Sequence, residues 1–310
     1  MCHLITTQEL DNKIEKFWKL EEIGIRNTRN KEDELCEEHF QKTYRRDEQG
    51  RFQVELPKKQ EVILGDSFER ALKRLRSTER RFKQPDLKQE YVNFMKDYEA
   101  SGHMSLCEGK FMERYYIPHQ PVIRETSITT KLRVVFDASA KTSSGASLND
   151  KLLVGPNLQN DIFEILLRFR CHQYVLTADI AQMFRQIKMV EEDRAFQCIL
   201  WRSDEEQPVK VYTLYTVTYG TACAPFLAMR CLRELANQWS PDNPKAAEIL
   251  KDDFYMDDLI SGTKTEQEAI ALQRELSMIL HSAQFHLRKW RSHDPTILES
   301  LTESKEKTSC

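Results

Sequence analysis

Three aspartates carry the chemistry this sequence points to. Asp257 and Asp258 stand side by side in Phe254-Tyr255-Met256-Asp257-Asp258-Leu259-Ile260, and Asp179 closes a strand-like run, Tyr174 to Ala178, far upstream. Adjacent carboxylates repel, so an acidic tip between two short strands is favourable where a divalent cation sits on it. Oxygen-only ligands select hard ions, magnesium first and manganese as the alternative. Two such ions suit phosphoryl transfer: one activates an attacking hydroxyl, and the other neutralises charge on a triphosphate and its leaving group. A Y-x-D-D also arises by chance, so the neighbouring residues must decide.

Four neighbours bear on that decision, and each has a plainer reading. Ile180-Ala181-Gln182-Met183-Phe184 turns past the strand end. The amides of Ala181 and Gln182 could meet phosphate oxygens there, and Phe184 could stand over a sugar or simply fill the core. Tyr219-Gly220 leads into Thr221-Ala222-Cys223-Ala224-Pro225. That stretch either lets a nucleotide or template base approach the backbone closely or is an ordinary loop entering a helix. Lys131 and Arg133 bracket an apolar strand and suit either a triphosphate clamp or a charged surface. Arg70, Lys73, Arg74, Arg76, Arg80, Arg81 and Lys83 crowd one segment, as a solvated helix face or as phosphate contacts.

The elements that must position these groups follow from periodicity. Phe52, Val54 and Leu56 alternate as in a strand. Asp66 and Glu69 predict the start of a helix that Pro85 closes, and Leu87, Tyr91, Phe94, Met95 and Tyr98 share one face of the next. Leu132–Phe136 and Tyr174–Asp179 predict strands, and Ile162, Ile165, Leu166 and Phe169 a helix. Phe196–Trp201 and Val209–Val217 predict a hairpin. Pro225 opens a helix to about Gln238, Thr265–Glu268 caps another, and Gln284–Trp290 alternates as a last strand. From 174 onward the order is the β-α-β-β-α-β of a ferredoxin-like sheet with a hairpin inserted. If the acidic hairpin pairs beside the first strand, Asp179 and Asp257 meet at one rim.

At 310 residues, 40% hydrophobic and 31% charged, the chain is globular in composition, with a net charge of −3. That charge does not advertise a nucleic-acid binder, although acidic clusters elsewhere mask the basic segment. No apolar run reaches membrane-spanning length and no secretory signal is visible, so the expectation is a reducing intracellular setting without membrane contact. Eight cysteines occur without a C-x-x-C pair.

Leu132-Arg133-Val134-Val135-Phe136-Asp137, Thr177-Ala178-Asp179-Ile180 with Phe184, Tyr219-Gly220 through Ala224-Pro225, and Tyr255-Met256-Asp257-Asp258 occur in the order and spacing of reverse transcriptases. With Cys36-Glu37-Glu38-His39-Phe40, Arg46-Asp47, Gly50-Arg51-Phe52, Tyr116-Ile117-Pro118-His119 and Leu287-Arg288-Lys289-Trp290, the chain resembles the BEL/Pao class of long-terminal-repeat retrotransposon polyproteins over nearly its whole length. The resemblance implies an α+β fold of polymerase fingers and a ferredoxin-like palm. It implies two magnesium ions, with manganese possible, on Asp179, Asp257 and Asp258, and Phe184 as the gate against a ribose 2′-hydroxyl. Arg133 and Lys131 would meet the triphosphate, Ala181, Gln182, Tyr219 and Gly220 would shape the nucleotide pocket, and Met256 would lie near the primer end. Lys289, with Arg288 as the alternative, would protonate the pyrophosphate.

The implied partners are an RNA template, a DNA or RNA primer and deoxynucleoside triphosphates. The implied location is the cytoplasm, in a virus-like particle, with possible nuclear access. The expected organisation is a polar linker or helical region (1–60), a fingers-like region (61–155), a palm (156–292) and a polar tail (293–310). The short stretch after Trp290 implies an absent or truncated thumb, with protease, ribonuclease H and integrase on other parts of a polyprotein. A catalytically silent nucleic-acid-binding remnant is the alternative. An RNA-dependent RNA polymerase would require a small residue in place of Phe184, and a calcium loop would require a mid-loop glycine.

Overall fold

The computed structural model describes residues 30–83, 85–107, 114–123 and 132–298. Lys131 lies outside them, so its expected triphosphate contact has no structural counterpart here. Among the described residues no helix is long and apolar enough to cross a membrane.

A four-stranded antiparallel sheet holds the acidic residues. Its strands are β6 (Tyr174–Ile180), β10 (Phe254–Tyr255), β11 (Asp258–Thr263) and β12 (Leu287–Arg291), in the order β10-β11-β6-β12. Two helices of the same unit connect them, α6 (Ala224–Trp239) after β6 and α8 (Glu266–His281) after β11. This is the mixed α+β, ferredoxin-like arrangement, with every strand pair antiparallel. A second hairpin, β8 (Cys198–Trp201) with β9 (Lys210–Leu214), is inserted between β6 and α6, and β3 (Met104–Leu106) extends it. Pro225 stands in the first turn of α6, where its missing N–H leaves nothing unpaired. At α8, the Thr265 hydroxyl accepts the Glu268 amide, as the sequence predicts.

The remaining elements pack onto this unit. They are α1 (Lys31–Thr43), β1 (Arg45–Arg46), β2 (Phe52–Val54), α2 (Phe68–Arg81), α3 (Pro85–Ala100), β4 (His119–Ile123), β5 (Leu132–Phe136), α4 (Leu148–Lys151), α5 (Ile162–Arg170), β7 (Lys188–Met189) and α7 (Pro244–Asp252). One continuous apolar cluster runs from Cys36 and Phe40 on α1, through Tyr91 and Tyr98 on α3, to Phe285 and Ile297.

Three expectations shift. Ser67, not Asp66, is the residue preceding α2, and Asp66 Oδ1 instead accepts the Phe68 amide at 3.2 Å. That helix ends at Arg81, and Pro85 opens α3 instead of closing its predecessor. The fixed backbone angle of proline suits a first helical turn as well as a stop. The last strand starts at Leu287, because Gln284 takes a left-handed backbone (φ 61°) after α8.

Candidate active site

The register of two strands decides where the carboxylates meet. Asp258, the first residue of β11, lies directly opposite Asp179 on β6, and the Ile180 amide donates to the Asp257 carbonyl at 2.8 Å. A slip of one residue would send these side chains to opposite faces. The alternation of the two strands forbids that slip, because Leu176, Ala178, Ile180 and Leu259 must stay buried. The β10–β11 turn is tight: Tyr255 pairs with Asp258, leaving only Met256 and Asp257 between them. Met256 adopts a left-handed backbone (φ 54°), unusual for a residue with a side chain. Gln159 Oε1 holds it there, accepting the Met256 amide at 2.9 Å.

The third side of the rim is β12. Arg288 pairs in register with Asp179, and its Nε donates to Asp179 Oδ2 at 2.9 Å. Lys289 Nζ stands 3.5 Å from Asp179 Oδ1, close enough to pair but not to hydrogen-bond, so that buried oxygen accepts no hydrogen bond. Lys289 reaches the rim because its own backbone is left-handed (φ 53°) and the β12–β6 register jumps between Arg288 and Arg291. The irregularity turns two consecutive cations toward one carboxylate, where regular alternation would separate them.

Asp257 and Asp258 are exposed, whereas the Asp179 side chain is only 13% accessible. Burial, then the neighbouring Asp257 and Asp179 carboxylates, hold the Asp258 carboxyl above its ordinary value, and Lys289 opposes them. Among the described residues no three His, Cys, Asp or Glu side chains already form a metal-holding group. The carboxylates adjoin, but Asp179 is engaged by Arg288.

A cleft of ≈ 470 Å³ opens on this rim, lined by Asp179, Asp257, Asp258, Arg288, Lys289 and Arg291 together with the exposed Arg133 of β5 and the edges of β6 and β11. The structure therefore brings together six residues singled out from the sequence: Asp179, Asp257, Asp258, Lys289, its alternative Arg288, and Arg133. Ala181, Gln182, Phe184, Tyr219, Gly220 and Met256 do not line that cleft.

Their placements are specific nonetheless. Gln182 is left-handed (φ 49°) and leads into a 3₁₀ turn, Met183–Gln186, on which Phe184 is half-buried against the core. The idea that the amides after Asp179 face phosphate needs correction at Ala181, whose N–H donates to the His286 carbonyl at 2.8 Å. The Tyr219 hydroxyl donates to the Val134 carbonyl at 2.5 Å, and its ring lies 5.2 Å from that of Phe136. Burial pushes the Tyr219 phenol well up. Gly220 (φ 100°) lies so close to β5 that a Cβ there would sit 2.3 Å from the Phe136 carbonyl oxygen. The Tyr219–Gly220 loop is thus fastened to the strand that carries Arg133.

Gln159 and Arg291 escaped the sequence reading. A glutamine bonding a distant turn amide leaves no local pattern, but Arg291 was legible as a third base in Leu287–Arg291.

The sequence profile of a family described as reverse transcriptase (RNA-dependent DNA polymerase) matches residues 121–293. No curated protein sequence matches the chain significantly. Among solved structures, the foamy viral protease-reverse transcriptase in complex with RNA/DNA hybrid is similar in fold. It is 16% identical with a TM-score of 0.50, over 66% of this chain and 24% of that chain. The foamy viral protease-reverse transcriptase dRH in complex with double-stranded DNA is 17% identical with a TM-score of 0.47, over 62% of this chain and 28% of that chain. The chain thus spans about a quarter of the length of these relatives.

Proposed function

The chain belongs to the reverse transcriptase (RNA-dependent DNA polymerase) family, and from that premise we propose that it is the fingers and palm of an enzyme extending a primer with deoxynucleotides on an RNA template. The observation that carries the proposal is the pairing of Asp258 opposite Asp179 across β11 and β6, with Arg133 in the same cleft. In this reading residues 61–155 serve as fingers and 156–292 as palm.

The donor set fits a hard divalent cation: three carboxylates, one with a buried oxygen accepting no hydrogen bond and one whose carboxyl is raised above its ordinary value by burial and then by the adjoining carboxylates. Asp179, Asp257 and Asp258 would hold two magnesium ions, or manganese, which would supply charge neutralisation at the reacting phosphate. Arg133 orients the triphosphate. Phe184 excludes a ribose 2′-hydroxyl at the wall of the sugar site, and Tyr219 and Gly220 set the depth of the pocket through β5. Lys289 holds the proton that the pyrophosphate leaving group takes, and Met256 meets the primer end. For Asp179 to hold a cation, its ion pair with the half-exposed Arg288 would have to open.

The BEL/Pao assignment is supported by motifs outside the family-matched segment, Cys36–Phe40 and Gly50-Arg51-Phe52 among them. It carries with it the virus-like-particle setting and the companion protease, ribonuclease H and integrase. A second reading, a silent nucleic-acid-binding remnant, is favoured by the engagement of Asp179 with two cations.

Primer extension on an RNA template with magnesium or manganese separates the two. Extension is expected from the full chain and a loss of roughly 10²–10³-fold in D257N and D258N, the scale of removing one preorganised electrostatic group. Extension surviving in the double variant overturns the mechanism, and salt-dependent binding without extension establishes the silent reading.

A further inference from the structure

The hairpin formed by β1 and β2 lies outside the family-matched residues 121–293, yet it is bonded both to the segment that leaves the acidic rim after β6 and to the one that enters it before β12. On one side, Arg51 Nη2 donates to the Arg185 carbonyl at 2.8 Å and Nε to the Gln186 carbonyl at 3.1 Å. These are the carbonyls at the end of the 3₁₀ turn bearing Phe184, so a guanidinium from a distant element takes acceptors that the short turn leaves over. Asp47 fixes the base of the same hairpin. Its Oδ1 accepts the Arg51 amide at 2.8 Å, and its Oδ2 pairs with Lys188 Nζ at 2.6 Å, two residues past the turn.

On the other side, Arg46 Nη2 donates to the Ser282 carbonyl at 2.6 Å, and Gln284 Nε2 donates to the Gln49 carbonyl at 3.1 Å. Ser282 and Gln284 lead into β12, which carries Arg288 and Lys289. The approach is close enough to demand glycine at the hairpin tip: Gly50 has φ 81°, and a Cβ there would sit 2.2 Å from the Ser282 carbonyl oxygen. The far face of the turn is held too, because the Arg185 guanidinium lies 4.5 Å from the centre of the Tyr98 ring.

We propose that Arg51 is a positioning residue for sugar discrimination: through the Arg185 and Gln186 carbonyls, the β1–β2 hairpin sets the height of the turn that presents Phe184. This rests on the polymerase reading above for its functional consequence but not for its structural one. A guanidinium suits the site because its rigid planar fork aims Nε and Nη2 at two successive carbonyls in fixed directions, whereas the ammonium of a lysine is a compact point charge on a flexible stem without that fork.

The test uses the full chain as wild type, R51A and R51K, with F184V as the reference for a lost gate. Hydrogen exchange followed by mass spectrometry should show the Arg185 and Ile187 amides opening roughly tenfold faster in R51A, with R51K intermediate and the α6 amides unchanged. Unchanged exchange at the turn, or equal acceleration in α6, overturns the brace. In primer extension, R51A should lose about tenfold of its preference for deoxynucleotides over ribonucleotides, as F184V does, while kcat for the deoxynucleotide stays within about threefold. A preference kept intact while the turn loosens overturns the specificity role. Absence of any extension by the wild type defeats the polymerase reading instead, and the exchange experiment then decides the brace on its own.

Discussion

Asp258 is the residue at which charge and function conflict most directly. Its folded-state pKa lies above the ordinary 3.8, first through burial and then through Asp257 and Asp179. The folded state therefore holds this proton more tightly than the unfolded chain does. Its contribution to stability is greatest below the ordinary value and is lost as pH rises through the raised one, so at neutral pH the ionised group opposes folding. The substitution D258N removes that opposition. In EDTA, D258N should be more stable than wild type by about 0.5 kcal/mol at pH 7, the scale of an exposed like-charge cross-strand contact, with the gap closing toward pH 4. Magnesium or manganese should raise the melting temperature of wild type and leave the variant's nearly unmoved. Thermal melts across pH check both statements, and a variant less stable than wild type at pH 7 would show that the acidic rim carries no electrostatic strain. Asp179 and the acidic pair were legible in the sequence because alternation fixes the register of two strands around them. The engagement of Lys289 beside them was not, since it depends on a left-handed backbone at a non-glycine residue, for which no local pattern exists.

At the scale of elements, the join between the Tyr219–Gly220 loop and β5 transmits position from the core to Arg133. Glycine is needed there twice over, for φ 100° and for the approach to the Phe136 carbonyl. Gly102 (φ 70°) separates the two needs, because a Cβ there would meet nothing within 4 Å. G102A should then cost only the backbone term, about 1–2 kcal/mol. G220A should exceed it, since the loop must also withdraw from β5 and break the Tyr219–Val134 bond. Urea unfolding of the two variants measures the difference, and equal costs would mean that the loop is not fastened to the strand in solution. The strand and helix order of this region followed from periodicity. The fastening did not, for a hydroxyl reaching a carbonyl 85 positions away is specified only once the chain has folded. Pro85 illustrates the same limit from the other side, because its ring fits a helix start and a helix stop equally and only the neighbouring packing chooses.

Considered as a whole molecule, the segment that defines the family is not the segment that defines the core. Residues 121–293 carry the rim, but β9 pairs on its outer edge with β3, α2 and α3 cover the β4–β5 pair, and Phe40 of α1 meets Phe226 of α6 edge-on. Several charges inside the matched segment pair with partners outside it, and two of them are buried. Asp193, 1% accessible, pairs with Lys58 and accepts the Leu56 amide, and Arg230, 8% accessible, pairs with Glu37 at 2.8 Å. Removing residues 1–120 would strip these partners and also the buried Phe40, Phe52, Leu56, Leu75, Tyr91 and Tyr98. Large buried apolar side chains are worth about 1.5–3 kcal/mol each. Several of them together exceed the roughly 5–15 kcal/mol by which a domain is stable at all. The isolated 121–293 fragment should therefore lack a cooperative melt and fixed aromatic packing, whereas the full chain should unfold with both. Near-ultraviolet circular dichroism and urea unfolding of the two make the comparison, and a fragment that melts cooperatively at the full chain's temperature would show that the upstream helices and the β1–β2 hairpin are accessories to the fold, not part of it.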